Sequence, residues 1–242
     1  MGSTTKIDWC DATWNPVTGC LHKCEYCYAR GIAQRFGFGI VPLWNNGLSI
    51  LDEPMRREGR IQPYPFDFRP TLHRYKLEEP QHWRKPRNIF VCSMADLFGE
   101  WVPDDWIKAV FDACAAAPQH RYLFLTKNPK RVARLNNSGL LPKTIDCWWG
   151  ASTPHKGDSF NFGFHSFVSI EPIMEDFTGA KQCHAEWVII GAETGNRKGK
   201  VIPKKDWITS FVEDCADHGT TVFMKESLRG IMGEDFRQEF PW

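Results

Sequence analysis

Short apolar runs alternate with amphipathic stretches along most of the chain. Asn88–Ser93, Arg121–Thr126, Cys147–Ser152, Ser166–Glu171, Glu186–Gly191 and Thr220–Lys225 are each apolar at nearly every position. Runs without alternation fit strands buried on both faces, and an earlier strand is expected over Thr13–Thr18. Between the runs lie helical patterns. In Pro103–Ala117, Ile107, Val110, Phe111 and Cys114 recur at helical spacing, while Pro103, Asp104 and Asp105 suit a first turn whose free amides attract negative charge. Pro129–Leu135 predicts a second helix, and Lys205–His218 a third that Gly219 caps. Strands joined by crossovers imply a parallel sheet covered on both faces. The expected fold is α/β, a partial parallel barrel of (β/α)6 type in a single domain over 1–242. A flat doubly wound sheet is the structural alternative.

Residues 37–80 break this rhythm with prolines, glycines and the polar-aromatic string Gln62-Pro-Tyr-Pro-Phe-Asp-Phe-Arg-Pro70. They read as a long insertion after the first helix, holding one extra strand near Phe66–His73. Long connections of this kind serve as lids and binding loops. In parallel α/β folds sites gather at the carboxyl ends of strands. Here those ends carry Ser93 and Asp96, Thr126 and Lys127, then Ser152, Glu171, Glu193 and Lys225.

Composition narrows the class. The length of 242 residues fits one barrel-sized domain. With a formal charge of +1 the chain has no global pull toward polyanions or membranes. Local basic stretches exist at Arg56-Arg57, His82–Arg87, Lys127–Arg134 and Arg197–Lys205. No apolar run approaches the roughly 18 residues of a membrane span, and the first residues lack the apolar core of a signal peptide. Nine cysteines, an odd total, argue against a disulfide framework, so a reducing cytoplasm is the expected location. Phosphate-loop, nucleophile-elbow and His-Glu-x-x-His strings are absent.

Cys20, Cys24 and Cys27 form Cys-x-x-x-Cys-x-x-Cys, and three thiolates within eight residues can reach one ion or cluster. Three sulfurs close three corners of a four-iron cube and leave the last iron open to a small molecule. Two other readings stay open at this point: zinc with His22 as the fourth ligand, and an electron-transfer cluster completed by Cys10.

The cysteine string, with Tyr26 before its last member, resembles the radical S-adenosylmethionine signature. More closely, Thr13-Trp-Asn-Pro-Val-Thr-Gly-Cys20, Cys27-Tyr-Ala-Arg30, Phe90–Phe98, Ala115–His120, Leu125-Thr-Lys127, Ser169-Ile-Glu-Pro172 and Trp187–Gly195 are similar to strings of a phage- and prophage-associated family allied to that superfamily. The resemblance implies the superfamily's partial barrel and a [4Fe–4S] cluster on Cys20, Cys24 and Cys27. It implies S-adenosylmethionine as cofactor, reductively cleaved to a 5′-deoxyadenosyl radical that abstracts a substrate hydrogen, and an electron donor of the flavodoxin or ferredoxin type.

The superfamily places a Gly-Gly-Glu string after its second strand to hold the methionyl amine. Here that slot reads Ser93-Met-Ala-Asp96, so the resemblance implies Asp96 as carboxylate and Ser93 as hydroxyl. It assigns Thr126 and Lys127 to the methionyl carboxylate and Ser152 and Glu171 to the ribose. Tyr26, Gly191 and Glu193 are expected near the adenine. Some radical enzymes with a similarly compact barrel repair thymine photoproducts in DNA. A nucleic-acid or nucleotide-derived substrate is therefore expected, gripped by His82–Arg87 and by Tyr64, Phe66 and Phe68. The alternative is an iron–sulfur protein that binds a partner or senses redox state without turning over the cofactor.

Overall fold

The computed structural model describes residues 5–37, 47–156 and 164–242. Their contacts divide them into two compact units, Cys10–Cys147 and Trp148–Trp242, with Lys6–Trp9 belonging to the second.

The first unit contains β1 (Ala12–Trp14), β2 (Val17–Thr18), α1 (Tyr28–Phe36), β3 (Ser49–Leu51), β4 (Arg56–Arg57), β5 (Arg60–Ile61), β6 (Thr71–His73), β7 (Asn88–Val91), α2 (Asp104–Ala115), β8 (Arg121–Thr126) and α3 (Pro129–Asn137). β7 lies between β1 and β8, parallel to both, with Ile89 opposite Ala12 on one side and Tyr122 on the other. The apolar face expected of α2 is buried in full at Ile107, Val110, Phe111 and Cys114. Its first helical residue is Asp104, with Pro103 at the N-cap; the fixed φ of proline suits that entry.

The strand expected over Thr13–Thr18 is two strands in two sheets. β1 joins the parallel sheet, whereas β2 pairs antiparallel with β6, which pairs parallel with β3. Pro16 explains the break, since it has no N–H to continue a ladder; its carbonyl accepts from the His73 N–H at 2.7 Å. The described part of the insertion also holds more strands than expected. Beyond β6, which falls where an extra strand was expected, it holds β3 and the β4–β5 hairpin. Residues 38–46 of it lie outside the described residues.

The second unit contains β9 (Cys147–Ser152, from Trp148 onward), β10 (Ser166–Ile170), β11 (Trp187–Ile190), α4 (Lys205–Asp217), β12 (Thr221–Met224) and the short α5 (Arg229–Met232). β9 to β12 are parallel in chain order. α4 closes as expected: Gly219, at φ +69°, donates to Ala216 O while Thr220 N donates to Cys215 O. This crossed pair satisfies the helix's last carbonyls. Many of the tryptophans find their place at the amino ends of these strands. Trp187 packs against Trp9, Phe167, Phe223, Phe240 and Trp242 with ring centroids 5.1–6.2 Å apart. Across the two units the fold is mixed α/β, and its seven main strands are parallel within each unit.

Candidate cofactor and metal site

The cysteine loop leaves β2 at the carboxyl end of the first unit's strands and runs into α1. Gly19 starts it at φ +88°, where an added Cβ would overlap the Arg69 carbonyl, so glycine is required for both conformation and space. Gly19 N donates to Met94 O at 2.9 Å and Cys20 N to Phe68 O at 3.3 Å, tying the loop to the end of β7 and to the insertion. Cys20 and Cys27 pack on one apolar cluster of Ala29, Ala33, Phe68 and Met94. Cys27 caps α1, its sulfur accepting from Arg30 N at 3.4 Å. All three thiols are free. Burial pushes the Cys20 thiol up to about 11, and the neighbouring charges of Asp96, Cys24 and Cys27 push the same way. A cation nearby reverses that penalty, because the ligating form is the thiolate. Three free, half-buried thiols in one anchored loop are a donor set that fits a cluster held by three cysteines.

Asp96 is the hub beneath this loop. It is only 4% exposed, and each carboxylate oxygen takes two donors. Oδ1 accepts from the Thr126 hydroxyl at 2.7 Å and Phe98 N at 3.1 Å. Oδ2 accepts from His22 Nε2 at 2.7 Å and Lys127 N at 2.9 Å. Asp96 thus joins the cysteine loop to the end of β8. Lys127 continues the link, its Nζ 3.3 Å from the Tyr26 hydroxyl and 5.4 Å from the Tyr26 ring centre. Ser93 bonds Asn15 Oδ1 through its hydroxyl and the Tyr28 hydroxyl through its carbonyl. Tyr26, Ser93, Asp96, Thr126 and Lys127 are therefore brought together around the three cysteines, all within the first unit.

The remaining sequence-expected residues lie on the second unit. Ser152 ends β9 opposite Ser169. Glu171 follows β10 and pairs with Lys225 Nζ at 2.7 Å, while the Ser169 hydroxyl donates to its other oxygen at 3.3 Å. Gly191 follows β11, and a Cβ there would press on the Lys225 and Glu171 side chains at 3.0–3.2 Å. Glu193 is held by Arg197 through two hydrogen bonds of 2.6 and 2.7 Å.

Several contributors were not singled out by the sequence. Asn15 accepts from Met94 N and the Ser93 hydroxyl and so fixes the turn after β7. His22, which entered only as the fourth ligand of the alternative zinc reading, bonds Asp96 and meets Trp101 edge-on at 4.9 Å between ring centres. The Trp101 indole N–H is buried with no acceptor among the described residues. Arg131, buried at the start of α3, donates to Gly99 O, Val102 O and Asp104, and Arg134 grips Glu100. Much of the basic stretch Lys127–Arg134 thus locks the loop carrying Trp101. The string His82–Arg87 precedes β7 and lies at its amino end, across the strand from the cysteines. There Arg87 stacks on Trp83 at 5.0 Å. Phe68 is core.

Residues 4–228 match the family described as a protein of unknown function, DUF5131. The chain belongs to this family. No curated protein matches it. Among solved structures, this DUF5131 chain is similar to "spore photoproduct lyase complexed with dinucleoside spore photoproduct". The TM-score is 0.50 at 10% identity, over 93% of this chain and 79% of that one. At that identity the likeness is one of fold. Among the described residues, no helix is long and apolar enough to cross a membrane.

Proposed function

We propose that this DUF5131 protein is a radical S-adenosylmethionine enzyme. The observation that carries the reading is the cysteine loop: Cys20, Cys24 and Cys27, anchored at the carboxyl end of parallel strands by Gly19 and backed by the Asp96 network. The three cysteines would hold a [4Fe–4S] cluster and leave a coordination position for S-adenosylmethionine. Bound there, the pair supplies one-electron cleavage of the sulfonium and a carbon radical able to abstract hydrogen, fed by a flavodoxin- or ferredoxin-type donor.

This chain's own residues do the positioning. Asp96 holds His22, and with it the loop, against the ends of β7 and β8. Tyr26 keeps the Lys127 ammonium beside the loop, where it would meet the methionyl carboxylate. An ammonium group taking Asp96 as acceptor must exchange for one of the four donors already there. The substrate class we propose is a nucleic acid or nucleotide derivative. The fold likeness to a lyase bound to a dinucleoside photoproduct supports it, alongside the partial-barrel resemblance.

Anaerobically reconstituted protein, reduced with dithionite, should release 5′-deoxyadenosine from S-adenosylmethionine, and the Cys24→Ala variant should not. A fully assembled cluster that releases none would overturn the enzyme reading. It would favour the redox-sensing or partner-binding alternative, to which the full complement of donors on Asp96 already lends weight.

A further inference from the structure

A second cluster of ligand-type side chains lies in the second unit. Cys183 and His184 sit on the 3-10 turn Lys181–His184, and His218 is the capping residue just past the end of α4. Each offers one ligand atom, and the three atoms lie within 4.8 Å of one another. Cys183 Sγ is 3.6 Å from His218 Nδ1, and the two imidazoles face each other with centroids 4.4 Å apart and planes 30° apart. A tetrahedral zinc with Zn–S of about 2.3 Å and Zn–N of about 2.0–2.1 Å sets a sulfur and a nitrogen about 3.6 Å apart.

The arrangement is built and not fortuitous surface crowding. Cys183 and His218 are 35 residues apart, yet the two segments are fastened at several points. The buried Thr220 hydroxyl bonds the carbonyls of both Cys183 and Ala185. Gly179 N donates to Asp214 Oδ2 at 2.6 Å. Cys183 and Cys215 belong to one apolar core with Phe177 and Phe211. His218 Nδ1 also lies 2.8 Å from the Asp214 carbonyl, a bond that is exchanged for the ion when Nδ1 gives up its proton to ligate. Cys183 is buried while both histidines are exposed, so an ion has a thiolate beneath it and an approach from solvent.

We propose that Cys183, His184 and His218 bind a zinc ion, with a fourth position left for water or an external donor. One sulfur and two imidazoles suit a borderline-soft ion, where an all-oxygen set would suit magnesium or calcium. The site is independent of the cysteine loop and of the cofactor proposed there. It ties the turn after β10 to the end of α4, so binding links two segments distant in sequence.

The test uses the full chain, reconstituted anaerobically so that iron fills the three-cysteine loop, then dialysed against micromolar zinc and a weak chelator. Metal analysis should find one zinc equivalent in the wild type and its loss in His184→Ala and in His218→Ala, with iron unchanged. Both histidines are exposed, so these variants should keep the wild-type circular dichroism. Cobalt(II) in place of zinc should give a thiolate charge-transfer band that Cys183→Ser removes. Zinc content equal in wild type and both histidine variants, or no zinc in the wild type, overturns the proposal.

Discussion

Asp96→Ala probes the arrangement under the cysteine loop most sharply. The substitution removes an acceptor for four donors at once: the Thr126 hydroxyl, Phe98 N, Lys127 N and His22 Nε2. Hydrogen bonds to a charged group are each worth about 1.5–3 kcal/mol, but four bonds on one carboxylate are not additive. Losing one partner of a buried charged network costs about 3–5 kcal/mol. For a chain of this size about 1 kcal/mol moves Tm by roughly 2–4 °C, so the variant should melt about 6–20 °C below wild type. The measurement is thermal unfolding by circular dichroism on iron-free protein without S-adenosylmethionine, so that ligand linkage does not enter. Thr126→Val removes one of these donors together with the acceptor of Asn128 N and should cost about 1.5–3 kcal/mol. The double variant should lose less than the sum of the two single losses, because both remove the bond between Asp96 and Thr126, and only the Asn128 bond is lost in addition. An Asp96→Ala protein melting within a degree of wild type would refute the reasoning. It would mean that the carboxylate is held in reserve for a ligand ammonium and contributes nothing to the empty fold.

Replacing any one of Cys20, Cys24 or Cys27 by alanine should abolish the brown colour and iron content of reconstituted protein. The same change at Cys92 or Cys114 should leave both intact, since those thiols are fully enclosed and burial raises them, Cys92 to about 12. Visible absorption and iron analysis distinguish the outcomes. Acid stability should carry the signature of His73, whose imidazole is lowered from 6.5 to about 3 by burial and then by the Lys76 charge. Above about 6.5 both states are neutral and its contribution is intact. As pH falls toward 3 the unfolded chain takes a proton that the folded one refuses, and stability drops by up to about 1.4 kcal/mol per pH unit. Urea titrations of His73→Gln should show a shallower loss than wild type between pH 6.5 and 4; parallel profiles would contradict the burial argument.

How much of this was readable from the chain follows from where the information lies. A strand buried on both faces is written locally, and the main runs appear within one or two residues of their expected ends; Arg121–Thr126 and Cys147–Ser152 match at both. The α2 face was legible for the same reason, because helical periodicity repeats every turn. Residues 13–18 were misread because periodicity carries no notice of a change of sheet; Pro16 was the available signal, a residue unable to continue a ladder. The insertion was underestimated because β3, β4 and β5 run two or three residues each, too short to show alternation. Cys20, Cys24 and Cys27 stand out in the chain because they fall within eight positions.

His22 and Asp96 could not be paired from sequence, since 74 residues separate them and only the fold brings them to 2.7 Å. The same holds for Cys183 and His218. Neither carries a short-spaced partner of the kind that marks a metal string, apart from His184 directly beside Cys183. Both pairings depend on crossovers that return successive strand ends to one edge. A parallel α/β chain therefore hides its long-range chemistry by construction. Its strands announce the scaffold, while the residues that meet at their ends are set by the connections, which follow no period. The local cysteine loop and the dispersed carboxylate–imidazole hub are thus two kinds of evidence for one site. The first survives any fold in which the loop is exposed. The second exists only if β7 and β8 are neighbours in the observed register, and so it ties the proposed chemistry to this architecture.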